Sequence, residues 1–193
     1  MQRHSALQTI RDEHASLAAM LQSMRLMVQK GPSDNRRQFF DVLRGMLFYI
    51  DEFPERLHHP KESNLLFPKV VKLAPKVMGA VDKLERDHMR SEKAARELQH
   101  LLLAWDLLGP SRRAAFEEAV AHYIDAYLEH MNLEENVILP EAERCFSDED
   151  WQQLNAAFAE NADPLTGQYR PTEAYEKLFT LIVTRAPSPI GLG

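Results

Sequence analysis

The sequence predicts an all-α fold, an antiparallel up-down four-helix bundle with a short helical C-terminal extension. Three observations carry this expectation. Apolar residues recur at steps of three and four almost from end to end. Short runs rich in Gly and Pro interrupt the periodic stretches, and short connections favour antiparallel neighbours. No stretch sustains the alternation of a strand.

The first helix is expected from about Ser5 to Gln29, with Leu7, Ile10, His14, Leu17, Leu21, Met24 and Val28 on one stripe. Gly31 and Pro32 end it, and Ser33 or Asp34 is the expected cap of the next helix. That second helix starts near Asn35 and carries Phe40, Leu43, Leu47 and Ile50 toward His58. Pro54 and Pro60 should kink or split it. Pro68 and Pro75 bracket the turn to a third helix, whose stripe is Val77, Val81, Leu84, His88, Ser91, Ala95, Leu98, Leu102 and Trp105. LLGPS ends it, and Ser111 is the expected cap of a fourth helix carrying Phe116, Val120, Tyr123, Tyr127, His130, Glu134 and Val137. Residues 1–146 are therefore expected to form the bundle. Residues 147–193 read as an extension docked on it. Ser147 should cap a helix from Asp148 to about Glu160, and a last helix should run from Thr172 to about Thr184. The apolar residues of this extension, Trp151, Leu154, Phe158, Tyr175, Leu178, Phe179 and Ile182, are too few for a core of their own.

Composition narrows the function. The chain has 193 residues, 45% of them hydrophobic, which is enough for a sizeable core. A net charge of −6 with interleaved signs offers no basic stripe for nucleic acid or an anionic membrane. The apolar runs are too short to span a bilayer, and the N-terminus lacks the apolar stretch of a secretory signal, so the cytoplasm is the expected compartment. Cys145 is the single cysteine, which excludes an internal disulfide and paired-cysteine metal motifs, and it reads as a passive, partly buried residue. No phosphate-binding loop, hydrolase elbow or nucleotide fingerprint is present.

One pattern occurs twice. His14 is followed by His58, Glu62 and Pro68; His88 is followed by His130, Glu134 and Pro140. The second members read HHPKESNLLFP and HMNLEENVILP, and the first sit in IRDEH and LERDH. On a helix, His-x-x-x-Glu places both side chains on one face, a turn apart. His14, His88, His130 and Glu134 fall where the apolar stripe calls for Leu or Val, and His58 lies on nearly the same face as Leu47. His88 and His130 stand at similar distances from Pro110, so antiparallel helices bring them to one height. Buried carboxylates without partners are costly, and divalent or trivalent cations offset that cost. Imidazole mixed with carboxylate suits iron or manganese, and zinc less so, since HExxH is absent. A lone His-x-x-x-Glu is weak evidence, because a histidine on an apolar stripe is commonly a hydrogen-bonded core residue. The doubled order, the shared proline and the matched heights are what that bland reading leaves unexplained.

Competing assignments are weighed on the same basis. Glu55-x-x-His58 and Glu85-x-x-His88 match the ferritin-type di-iron pattern locally, but the other two helices carry His where that pattern needs a lone Glu. Glu92, which also follows His88 by four, is a rival ligand, but it has no counterpart after His14 and reads as an acid on the surface or just behind the ligands. His58, which pairs with Glu62, is preferred over His59, which should point about 100° away. His122 reads as structural, Tyr123 and Tyr127 as packing residues facing the site, and Asp51 as a candidate to orient an imidazole.

Over roughly residues 5 to 145 the sequence resembles the hemerythrin-like HHE cation-binding family. The resemblance rests on DEH at His14, HHPKE with its following LFP, DH at His88, and HMNLEE with its LP. It implies a four-helix bundle holding two irons bridged by Glu62, Glu134 and an oxygen ligand, with His14, His58, His88 and His130 completing the coordination. Oxygen-carrying members have a further histidine where this chain has Leu84, so the resemblance implies an open iron position. The expected function is binding or reduction of a small oxidant, oxygen, nitric oxide or peroxide, with electrons from a separate donor and no large substrate pocket. Iron or oxygen storage, sensing or iron donation without turnover is the alternative, and a metal-free interaction domain is a third class.

Overall fold

The computed structural model describes residues 5–32 and 34–193. Helix α1 spans Ser5–Lys30 and α2 spans Arg36–Ile50. The cap of α2 is Asn35, whose side chain accepts the backbone N–H of Gln38. Asp34 is not the cap, and Ser33 lies outside the described residues. Asn is as good an N-cap as Asp or Ser, so neighbouring candidates cannot be ranked from sequence.

The rod begun by α2 continues through Asp51–His58, His59–Lys61 (α3), Glu62–Leu66 and Phe67–Leu73 (α4). The two unlabelled segments are π-helical: the N–H of His59 reaches Pro54 O, and that of Phe67 reaches Glu62 O, five residues back in each case. A proline in a helix removes one hydrogen bond and pushes on the preceding turn. Here the widened turns absorb Pro54, Pro60 and Pro68, and the rod is neither split nor capped. A 3-10 turn, Pro75–Val77, leads to α5, Met78–Leu108. Gly109 ends α5 with φ of 92°, a conformation that side chains disfavour. Ser111 does not cap the next helix. It lies inside the 3-10 turn Pro110–Arg112, and α6, Arg113–Leu133, starts without a side-chain cap. A π turn, Glu134–Ile138, joins α6 to α7, Leu139–Cys145.

α6 packs against both α5 and α1, and α2 packs on α5. The Arg113 guanidinium donates to the carbonyls of Val28 and Gln29, and Arg25 pairs with Asp125, so the end of α1 lies beside the start of α6. No strand occurs among the described residues, and none of their helices is long and apolar enough to cross a membrane. The buried apolar side chains fall into two groups. One includes Leu17, Leu21, Phe40, Leu47, Leu98, Trp105, Phe116 and Tyr127. The other includes Leu7, Ile10, Leu66, Phe67, Leu84, Ile138, Trp151 and Phe158. On each long rod the polar His and Glu residues fall in the gap between these groups, so all four rods contribute at one level.

Beyond residue 146, Ser147 and Asp150 form a reciprocal capping box that starts α8, Asp148–Phe158. The last helix, α9, is shorter than the sequence suggests: Glu176–Arg185, with Thr172 in irregular chain ahead of it. α8 packs on α1 and α9 on α2. The Asn155 side chain accepts the N–H of Ala6 at 2.8 Å, and Ser23 donates to Pro187 O at 2.8 Å. Gly45 lets α9 approach α2, since a Cβ there would lie 3.2 Å from a methyl of Leu178.

Candidate metal centre

Each half of the repeated motif sits on a π turn. Glu62 and Glu134 begin two matching five-residue π segments, and Pro68 and Pro140 fall within the first two positions of the helices that follow. The shared proline therefore has a structural counterpart: both carboxylates are delivered where the helix is locally widened, a feature found often at functional sites.

Six side chains converge between the two apolar groups: His14 from α1, His58 and Glu62 from the second rod, His88 from α5, and His130 and Glu134 from α6 and its π turn. Both carboxylates are 0% exposed. Glu62 Oε1 lies 3.0 Å from His58 Nε2, while its Oε2 lies 3.5 Å from His88 Nε2. Glu134 Oε2 lies 3.3 Å from His14 Nε2, while its Oε1 lies 3.2 Å from His130 Nε2. Each carboxylate thus gives one oxygen to the His14/His58 pair and the other to the His88/His130 pair. The Nε2 atoms of His88 and His130 face each other at 3.2 Å. None of the four carboxylate oxygens, nor His58 Nε2, makes a well-formed hydrogen bond among the described residues.

Three of the four imidazoles are held from behind. His14 Nδ1 meets Glu135 Oε1 at 2.9 Å, His58 Nδ1 meets Glu13 Oε2 at 2.6 Å, and His88 Nδ1 meets Ser63 Oγ at 3.1 Å. Asp51, the sequence candidate for such a role, instead pairs with Arg56 at 3.1 Å. The acids that do the work, Glu13 and Glu135, stand next to His14 and Glu134 in the chain, and that adjacency was the available signal. Residues 147–193 also reach the centre: Asn161 donates to Glu13 Oε2 at 3.0 Å, and Phe158 packs edge-on against His58. Glu92 points away and pairs with Arg96, and His122 is exposed.

His59 departs from expectation. It is buried, and its ring stacks on His88 with centroids 4.0 Å apart. The π turn Asp51–His58 advances fewer degrees per residue than an α-helix, so consecutive histidines both face inward. His59 joins Glu62, His88 and His130 as one group able to hold a cation; His14, His58, Glu62 and Glu134 form the other. In the present arrangement its Nε2 faces the Tyr127 hydroxyl at 2.8 Å and its Nδ1 faces Glu55 at 3.1 Å.

The charges are strongly coupled. Burial opposes a proton on His14, but Glu134 and Glu135 outweigh it and raise its pKa from 6.5 to about 9. Burial likewise opposes a proton on His58, and Glu62 and Glu13 again carry it well above the ordinary value. Burial and the mutual repulsion of the two carboxylates push Glu62 up, but His58 and His88 bring it below the usual range. Glu134 is also lowered, its burial overcome by His130 and His14. His59 is the opposite case, held far below 6.5 by burial and by the neighbouring His88, His58 and His130.

Two buried carboxylates whose four oxygens make no well-formed hydrogen bond among the described residues, facing four inward nitrogens, match a metal-binding donor set far better than a hydrogen-bonded core. A family model for the hemerythrin HHE cation-binding domain matches residues 5–142. The chain belongs to the hemerythrin HHE cation-binding family. No curated protein matches the chain. The family match takes in all six convergent residues and ends before Asn161 and Phe158, so the contacts made by residues 147–193 lie outside the shared HHE domain.

Two cavities adjoin this HHE centre. A small one, about 20 Å³, is bordered by His14, His58, His59, Tyr127 and His130. A larger groove of about 540 Å³ runs between α5 and α6 and ends at His59, Tyr127 and His130. Its size departs from the expectation that no large pocket is present. The cause is alanine at positions 94, 115, 119 and 126 along the facing sides of the two helices.

Proposed function

We propose that this protein is a non-haem di-iron protein that binds or reduces a small oxidant, oxygen, nitric oxide or peroxide. The observation that supports it best is the division of the Glu62 and Glu134 oxygens between two histidine pairs, with no other partner for any of the four among the described residues. His14, His58, Glu62, His88, His130 and Glu134 would hold the metal, in an up-down four-helix bundle formed by residues 1–146, with residues 147–193 as an appendage covering the Glu13 side. The donor set suits iron or manganese better than zinc. When bound, a pair of irons supplies the electrons that a small oxidant accepts, and a separate donor restores them.

The chain's own residues set the conditions for that chemistry. Glu13, Glu135 and Ser63 fix the ring orientations of three imidazoles, which sharpens metal affinity. The apolar groups above and below the site keep bulk water away. The cavity of about 20 Å³ beside the histidines has room for one water-sized or diatomic molecule. Tyr127, with its hydroxyl 2.8 Å from His59, offers a hydrogen bond at that cavity's wall.

The test is anaerobic titration of the reduced protein with oxygen and with nitric oxide, followed optically, on the natural chain and on Leu84→His. Turnover with reductant consumed supports an enzyme, and a reversible change supports carriage or sensing; no response to either gas contradicts the proposal. Leu84 is fully buried one turn before His88. An imidazole there is expected to fill the open position, slowing turnover and prolonging any oxygen adduct. A destabilised Leu84→His protein with unchanged iron spectra would show that the open position lies elsewhere, at a cost of about 1–3 kcal/mol for the unsatisfied ring.

A further inference from the structure

We propose that the groove between α5 and α6 is a binding site for a neutral phenol carrying an apolar tail, with the phenol hydroxyl seated between His130 and Asp87. The starting observation is His130 itself. Of the four imidazoles that face Glu62 and Glu134, it alone has a rear nitrogen without a hydrogen bond among the described residues. His130 is 4% exposed, so any partner for that nitrogen sits in a cavity that the ring lines. Its Nδ1 lies 3.9 Å from Asp87 Oδ2, too far for a direct bond. His130 and Asp87 both line the inner end of the groove.

A single hydroxyl closes that gap. It accepts the Nδ1–H of His130 and donates its own proton to the Asp87 carboxylate, which suits the tautomer that leaves Nε2 free to face Glu134. A carboxylate has no proton to give Asp87 and would add like charge beside it. An ether has no donor at all. Lys83 pairs with Asp87 at 2.7 Å and leaves the carboxylate with acceptor capacity to spare. The remainder of the groove selects the rest of the molecule. Tyr123 and Tyr127 offer ring faces and edges near the inner end, which suits an aromatic ring. Ala94 and Ala119 then leave an apolar slot between the helices, with Leu98 and Leu101 along it. The volume of about 540 Å³ lies in the range of small-molecule sites and is far beyond what a diatomic oxidant needs.

The proposal does not rest on bound metal, because the groove and the gap are both formed by the protein alone. It is tested by titrating 4-butylphenol, 4-butylanisole and 4-butylbenzoate into metal-free and metal-loaded protein by calorimetry. The phenol is expected to bind with submillimolar Kd and at least about tenfold more tightly than either analogue. Ala94→Leu fills the groove seven residues along α5 from Asp87, about 10 Å and within reach of the butyl tail, and should weaken phenol binding at least about tenfold while metal content and helical circular dichroism stay unchanged. Ala126→Leu makes the same test from α6 should the first variant not fold. Equal affinity for phenol and anisole, no phenol binding up to millimolar concentration, or full affinity in a folded groove-filling variant each overturns the proposal, and a water bridge would then account for His130. A protein that binds the phenol but no metal would refute the metal reading and leave this one standing.

Discussion

Glu62→Ala and Glu134→Ala are each expected to strip most of the metal, lowering affinity by at least about 100-fold, since a shared carboxylate matters more than the supporting partners whose loss costs 10–100-fold. Each carboxylate faces one histidine pair with each oxygen, at 3.0 to 3.5 Å, so on the proposed two-cation reading its loss would remove a donor from both at once. Glu135→Ala removes only the group behind His14 and should cost less, about tenfold. The ordering can be read by metal analysis of the three variants after dialysis against a weak chelator. Full retention in both Glu62→Ala and Glu134→Ala would mean that the carboxylates are not shared.

The second large effect is in the pH dependence, and it has opposite signs with and without metal. Without metal, His14 titrates at about 9 in the folded chain against 6.5 when unfolded, and His58 is raised in the same direction. Below pH 6.5 both states hold these protons and the carboxylate–imidazolium attraction stabilises the fold in full. As pH rises toward 9 the folded state keeps protons that the unfolded state has lost, and the contribution fades; it is gone above 9. The His14 shift alone corresponds to a few kcal/mol, or a fall in Tm on the order of 5–10 °C across this interval. Glu55 and Asp163 are raised by burial to about 7 and about 6, so their stabilisation fades in the same direction; the Asp163 part is nearly over by neutral pH and the Glu55 part by about pH 8. The window from pH 8 to 9 therefore isolates the histidines. Metal requires the imidazoles deprotonated, so its affinity should climb through the same window as protons cease to compete. Thermal melts of metal-free and metal-loaded protein at pH 7, 8 and 9 should diverge steadily. A metal-free Tm that is flat or rises over that range would contradict the charge assignment.

Much of this was legible in the sequence because it depends on regular helical geometry. His14, His88, His130 and Glu134 occupy positions on 3.6-residue stripes, and the structure brings them together with His58 and Glu62. What was not legible lies where that geometry changes. The inward turn of His59 follows from the π segment Asp51–His58, and a reading at 100° per residue sends it outward. Asp34 gives way to Asn35 as a cap because good cap residues stand side by side and backbone conformation chooses among them, and Ser111 is taken up in a 3-10 turn. Glu13 and Glu135 were passed over because an acid beside a ligand residue points toward or away from it according to packing. Asn161 could not be anticipated, since its contact with Glu13 joins residues 148 apart. The alanines at 94 and 119 carry no signal until α5 and α6 are placed face to face.

The central claim is that one buried His/Glu cluster holds two cations. Anaerobic titration of metal-free protein with ferrous iron, read by calorimetry and confirmed by metal analysis of the gel-filtered product, tests it most directly. The account predicts saturation at about two irons per chain, as in carboxylate-bridged di-iron bundles, with protons released on uptake near neutral pH. Saturation at one iron, or no uptake by a protein whose helical content is intact, would contradict it.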